Sequence, residues 1–376
     1  MLGSPLGCTP DDTPIPGDGN GDGDGDGDGP PCAPSNEIAD DSTCTQLDSD
    51  YSPGADDDYD ACISDGGTYE RIGSPPSSIG RVEAFDRIAD ILWRSGTPNA
   101  ADFVEAREVY DEDQGLGSRV ERREDLHYPP IPADDPDRNP GVDDDKQCSV
   151  TAIANKHPDR CAGPAKIRPL INRALIDGAN GDGDANASAA RVKAGGLWFL
   201  YLSIYKEATT CFTGAAKDCD SSWAYYTGAQ QVAKTGLGLA KMVSPISEYT
   251  HQRIFDGVLA VRCVRDLYPQ DDYPTFGDVP PAGQSLFETA AEQLDQALHR
   301  GYALTVRRHL LAHSSCEASA SNWAFIQTAG PVLDREAATR DPTAAAELAA
   351  LWALSAPDPT DINRAIALLD SLFDCG

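Results

Sequence analysis

Eleven cysteines, at positions 8, 32, 44, 62, 148, 161, 211, 219, 263, 316 and 375, constrain this chain more than any other feature. No two of them form a CxxC pair, which removes the usual signature of zinc ribbons and thioredoxin-like redox sites. So many free thiols would be a liability in a reducing compartment, whereas disulfides in an oxidising one account for both number and spacing. Cys211 with Cys219 is the clearest pair, closing the loop FTGAAKD between two helical stretches; such a closure stabilises by roughly 2 to 3 kcal/mol. Cys148 with Cys161, and Cys44 with Cys62, are the next most local pairs. The odd total leaves one sulfur over. Cys8 lies in LGSPLGC, which partly resembles the end of a bacterial lipoprotein signal, and lipid on Cys8 would leave ten cysteines to pair. Leu6 stands where a small residue is usual and no charged or apolar leader precedes it, so the expectation is a signal trimmed away or missed by a late start codon. The expected location is extracytoplasmic, in the periplasm or at the cell surface, with lipid at Cys8 as the sole membrane attachment. No run of about 20 apolar residues occurs.

The charge is uneven. Of 61 Asp and Glu, residues 1–80 hold sixteen Asp and two Glu against the single Arg71. The run DGNGDGDGDGDGPP has almost nothing to bury and repels itself, so residues 1–74 are expected to form a disordered acidic tether. Asp18, Asn20 and Asp22 with Gly23 imitate the start of an EF-hand loop, but position 12 is Gly29 where a bidentate Glu is required; weak Ca²⁺ association is the most this run offers. A second Asp/Gly run, Asp177 to Asp184, reads as a connector. A formal charge of −31 without basic clusters in the sequence argues against nucleic acid and anionic lipid as partners and favours a metal or other cation.

Residues 75–376 are expected to form one helical domain. Val82, Phe85, Ile88 and Leu92 share a helix face that ends at Gly96. Thr97-Pro98, Asp341-Pro342 and Asp358-Pro359 each place an N-cap side chain before a Pro at the first helical position. Arg191 to Cys211 is apolar on most sides and reads as a central helix; residues 246–268, 286–313 and 342–372 supply others. Strand-type alternation is missing, so the expected fold is an all-α bundle of about eight to ten helices. Residues 115–165, rich in Pro and Asp, interrupt it as a long surface excursion pinned by Cys148 and Cys161.

Motifs of catalysis are absent: no GxSxG, HExxH, GxxxxGK or dinucleotide fingerprint occurs, and a binding protein is expected ahead of an enzyme. His309 and His313 sit one helical turn apart, a metal-like spacing, but Arg307 and Arg308 beside them repel cations and an exposed polar face is the expected reading of the pair. The segment from Tyr205 to His251 is richer. Glu207, Asp220, Tyr225, Tyr226, Glu248 and His251 crowd around the Cys211–Cys219 loop, and carboxylate and phenolate oxygens suit Fe³⁺. These six are the candidate ligands. The competing account is that Trp223, Tyr225 and Tyr226 in SSWAYYTG pack between helices.

The stretches LWFLYLSIYKEATTC, DCDSSWAYYTGAQQ and VLAVRCVRDLYP resemble the low-iron-inducible periplasmic proteins best known from algae. Asp220, Trp223, Ala224, Tyr226 and Gly228 match an acidic residue ahead of an aromatic–glycine element, and AREVYDEDQG, with Ala106 and Tyr110, has the look of that family's first helical unit. The resemblance spans residues 80–270. It implies a secreted or surface-held protein that concentrates ferric iron for uptake, with uptake machinery of the outer membrane as a partner, and it transfers no ligand set. The alternative is a helical surface lipoprotein that binds an organic solute or a protein without metal, on an aromatic platform such as Trp198, Trp223 and Trp323.

Overall fold

Hydrophobic spacing in this chain is helical, and the computed structural model, which describes residues 68–142, 144–314 and 319–373, contains helices and no strand among those residues. Cys8, the run at Asp18, Asn20 and Asp22, and the pair Cys44–Cys62 lie outside the described residues. Helix α1 (Ser78–Ala89) buries Val82, Phe85 and Ile88, widens into a π-turn over Asp90–Arg94, and is followed by Gly96 at φ +115°. Helix α2 (Ala100–Tyr110) starts two residues later than expected. Asn99, not Thr97, is its N-cap, because Asn99 and Asp102 form a reciprocal capping box.

After α3 (Leu116–Val120), α4 (Thr151–Lys156) and α5 (Arg168–Asn180), the chain turns at left-handed Gly181 and re-enters a helix at once, with the Asp184 carboxylate accepting from Ala187 N at 2.9 Å. That helix, α6 (Ala185–Thr213), is the centre of the molecule. Leu197, Phe199, Leu200, Tyr201, Leu202 and Ile204 are buried on all its sides, as expected of a helix apolar most of the way round. Each large side chain buried there contributes about 1.5–3 kcal/mol, so truncating Leu200 to Ala would cost roughly 2–5 kcal/mol. Helices α7 (Lys217–Thr227), α8 (Gly238–Val243), α9 (Glu248–Leu267), α10 (Pro281–Ser314) and α11 (Ser319–Ala329) pack around it. A C-terminal group closes one end: α12 (Asp334–Arg340), α13 (Pro342–Trp352) and α14 (Pro359–Leu372). Asp341 and Asp358 cap α13 and α14 ahead of their first-turn prolines, as the sequence predicts. The expected all-α bundle is thus present among the described residues, and the one- or two-turn helices such as α3, α4 and α8 add to its longer helices because their spacing is too short to register as periodicity.

Two disulfides are present among the expected pairs, Cys148–Cys161 and Cys211–Cys219, with Cα atoms 5.2 and 4.8 Å apart. The first pins residues 115–165 as expected. Most of residues 129–142 are exposed, but the segment is anchored at both ends: Cys148 and Cys161 form a satellite core with Ile131, Ile153 and Ala154, and Leu116 and Val120 join the main core. The backbone docks closely at Gly163, whose N donates to Arg123 O at 2.8 Å and where an added Cβ would lie 2.1 Å from Val120 O. The folded region also begins upstream of residue 75. Tyr69 is buried and stacks on Trp223, ring centroids 4.5 Å apart, so residues 68–73 belong to the domain and not to a tether. No helix among the described residues is long and apolar enough to cross a membrane.

Candidate metal centre

Most of the six sequence-predicted ligands are engaged one by one rather than gathered. Asp220 clasps the N-terminal strap: its carboxylate accepts from Tyr69 Oη at 3.1 Å, Ile72 N at 3.0 Å and Gly73 N at 2.9 Å. Glu207 takes Arg123 Nη1 at 3.2 Å and lies 3.7 Å from Lys206 Nζ. Tyr225 Oη faces Arg123 Nη2 at 3.5 Å. Glu248 is exposed in the first turn of α9, beside Gln252 Nε2 at 3.4 Å. Tyr226 and His251 do meet. The phenol donates to His251 Nδ1 at 2.7 Å, and the other ring nitrogen donates to Val232 O at 3.2 Å, so this imidazole is the Nε2–H tautomer with both nitrogens satisfied. Burial holds the Tyr226 phenol well above its ordinary pKa and lowers that of His251, which keeps both neutral. The competing packing account describes these residues: Trp223 and Trp323 are likewise buried between helices, and form no platform.

His309 and His313 are not a metal pair either. His309 stacks on Phe325 with centroids 3.7 Å apart, and its nitrogens meet Asn322 Oδ1 at 2.7 Å and Lys193 Nζ at 3.1 Å. A cationic or near-cationic lysine at a ring nitrogen leaves no ligand position there.

Among the described residues, one group of three His, Cys, Asp or Glu side chains brings its ligand atoms within 4.8 Å of one another: His127, Asp295 and His299. Asp295 and His299 are i, i+4 neighbours on α10 and so share one face. Tyr201 and Tyr205 stand at the same spacing on α6, opposite. His127 comes from the segment after α3, and the Cys148–Cys161 disulfide explains its fixity. Arg160, next to Cys161, donates to Glu124 Oε2 and to Tyr128 O on either side of His127, and its own carbonyl accepts from Asp125 N at 2.8 Å. The His127 ring then lies flat on Tyr205, centroids 4.0 Å apart and planes within 8°.

Both imidazoles are oriented through Nδ1. His127 Nδ1 donates to Asp125 Oδ1 at 2.7 Å, and His299 Nδ1 donates to Asp295 O at 2.9 Å. Their Nε2 atoms are left facing a common point. His127 Nε2 lies 3.0 Å from both Asp295 oxygens; His299 Nε2 accepts from Tyr201 Oη at 2.8 Å, and that hydroxyl is 3.4 Å from His127 Nε2. Such an outer carboxylate or carbonyl on Nδ1 is the arrangement that fixes tautomer and aim in metal-binding histidines. Arg335 from α12 completes the group, with Nη2 3.4 Å from His299 Nε2.

The electrostatics without a metal follow from this geometry. Burial alone would lower the His127 pKa, but the hydrogen bonds to Asp125 and Asp295 outweigh it and raise it to about 9, so His127 is a cation between two carboxylates. Burial likewise opposes ionisation of Asp295, yet His299, His127 and Arg335 hold its pKa below the ordinary carboxylate value. Burial pushes His299 down, against Asp295, and it stays neutral. Burial and then Asp295 raise the Tyr201 phenol well above its usual range. A metal at the shared point therefore competes with the His127 proton. Access is through the Asp295 side, whose side chain is 17% exposed while Tyr201 and His299 are at 2%.

The sequence carried a signal for half of this group. Asp295 and His299 in DQALH have the same one-turn spacing as His309 and His313. Nothing in the sequence tied them to His127, 168 residues earlier than Asp295. No protein-family model matches the chain, and no curated protein or solved structure is significantly similar to it.

Proposed function

We propose that this is an extracytoplasmic binding protein that holds one transition-metal ion between His127, Asp295 and His299, with Tyr201 as a fourth donor. The observation that carries this reading is the pair of imidazoles with Nδ1 engaged by oxygen and Nε2 converging beside one carboxylate. Two nitrogens, a carboxylate and a phenol suit iron among the first-row metals, and zinc less selectively. The ferric-iron role implied by the family resemblance thus moves from the Cys211–Cys219 region to this centre. Disulfides at Cys148–Cys161 and Cys211–Cys219 support an oxidising location. The proposed role is binding rather than catalysis. Arg335 limits the positive charge the site accepts and is a partner for an anion accompanying the metal.

The test is equilibrium dialysis of the full chain against Fe²⁺, Fe³⁺ with carbonate, Zn²⁺ and Mn²⁺, followed by elemental analysis. One ion per chain is expected, lost in His299→Ala. Fe³⁺ should add a tyrosinate charge-transfer band that Tyr201→Phe removes and Tyr226→Phe leaves in place. Saturable binding of none of these ions, or binding that survives the double variant H127A/H299A, overturns the proposal.

A further inference from the structure

Among the described residues of this acidic chain, one cleft is lined by a concentration of basic side chains. It has a volume of about 710 Å³ and opens between the start of α1, the residues after α3, and the α6–α7 junction with its disulfide. Four guanidinium groups line it, those of Arg81, Arg119, Arg122 and Arg123, and the ammonium groups of Lys146, Lys206 and Lys217 join them. Seven cations in one cavity are unexpected for a chain of charge −31, whose composition points to cationic ligands. Arg119, Arg122 and Arg123 are neighbours in sequence, and the fold brings Arg81, Lys146, Lys206 and Lys217 to them.

The three carboxylates of the cleft leave three of its four arginines without an ion pair. Glu124 is held by Arg160, Glu207 is shared between Arg123 and Lys206, and Asp218 accepts from the Thr210 hydroxyl at 2.9 Å. Among the described residues, no carboxylate pairs with Arg81, Arg119 or Arg122. Arg81 Nη1 has only Ser77 Oγ at 3.1 Å, and Arg122 Nε has only Ser118 O at 3.1 Å. Arg81 and Arg123 are 5% and 6% exposed, and the buried Nε of each has no hydrogen-bond partner. Burial and then Arg81 and Arg122 lower the pKa of Arg119, which is the mark of like charges held together. An arrangement of this kind opposes folding by mutual repulsion, and a bound polyanion removes the opposition.

We propose that this cleft is a binding site for a small phosphorylated polyanion of the di- or triphosphate class. Guanidinium forks match the tetrahedral oxyanion with paired N–H donors, where lysine offers a point charge. The volume falls within the range of small-molecule pockets. The proposal is independent of the metal centre, since none of His127, Asp295 and His299 lines the cleft.

Isothermal titration of the full chain with tripolyphosphate at physiological salt tests it. Saturable one-to-one binding in the micromolar range is expected, weakened at least tenfold in R119Q/R122Q. Arg191→Gln, exposed on α6 and about 22 Å along the helix from Lys206, should leave it unchanged. The double variant should melt no lower than the parent without anion and gain less from added tripolyphosphate, which separates lost binding from lost folding. Absence of saturable binding, an unchanged affinity in the double variant, an equal loss in Arg191→Gln, or citrate bound as tightly as tripolyphosphate would each overturn the assignment.

Discussion

Two buried tyrosine–histidine pairs make the most instructive contrast in this molecule. Tyr226–His251 and Tyr201–His299 have nearly the same phenol-to-imidazole distance, 2.7 and 2.8 Å, and each histidine donates its other N–H to a backbone carbonyl. The first pair is closed: every polar atom has a partner and the surroundings are apolar. The second pair has Asp295, His127 and Arg335 added around the same motif. A satisfied aromatic–imidazole hydrogen bond staples helices in both places; only the second adds the carboxylate and imidazole on which the proposed metal site rests.

The sharpest way to break this contrast is substitution of the histidines. His299→Ala or His127→Ala should lower metal affinity by more than a hundredfold in a chelator-competition titration. His251→Ala should leave that affinity within about twofold while lowering the melting temperature. Equal losses at both sites would mean that the second pair is a staple as well.

pH separates the two next. In the metal-free protein the folded His127 pKa of about 9 lies above the ordinary 6.5, so its contribution is fully present below about pH 6.5 and is lost as pH rises through 9. The size is about 3 kcal/mol, for a side chain that faces Asp125, Asp295, His299, Tyr201, Tyr205 and Arg335. His251 has the opposite sign. Its depressed pKa contributes stability above the ordinary value that is lost as pH falls. Denaturant melts between pH 6 and 10 should therefore show a decline with rising pH that H127Q abolishes and H251Q retains. Metal affinity should rise over the same range, because binding displaces the His127 proton.

Asp125→Asn removes only the outer partner of His127, and a loss of about 10–100-fold in metal affinity is expected by the same titration. Last, Tyr226→Phe leaves His251 Nδ1 buried and unpaired and should cost about 1–3 kcal/mol in urea unfolding. Tyr201→Phe should cost less, since Arg335 Nη2 already stands 3.4 Å from His299 Nε2.

Particular residues show what was legible beforehand. The central helix, the caps at Asp341 and Asp358 and the disulfides Cys148–Cys161 and Cys211–Cys219 follow from local rules of period, capping and loop length, whereas the connector expected at 177–184 is confined to 181–184 because α5 continues to Asn180. The candidate ligands were chosen by the same locality, from acids and phenols crowded within one stretch of sequence. The fold engages these residues separately: Asp220 accepts from three donors in residues 69–73, and Glu207 faces Arg123. Crowding along the chain raises local concentration but says nothing about where side chains converge.

Composition and periodicity determined by themselves that this protein is helical, disulfide-stapled and acidic, because each of those properties is summed over neighbours in the chain. Tertiary structure alone decided that His127 would reach Asp295 and His299, and that scattered arginines would face one cleft. Both depend on residues 115–165, which are held together by the Cys148–Cys161 satellite core, Arg160 and the backbone contact at Gly163, and which meet α6 through Arg123 on Glu207 and His127 on Tyr205. Those are contacts between segments distant in sequence, which a hydrophobic period cannot encode.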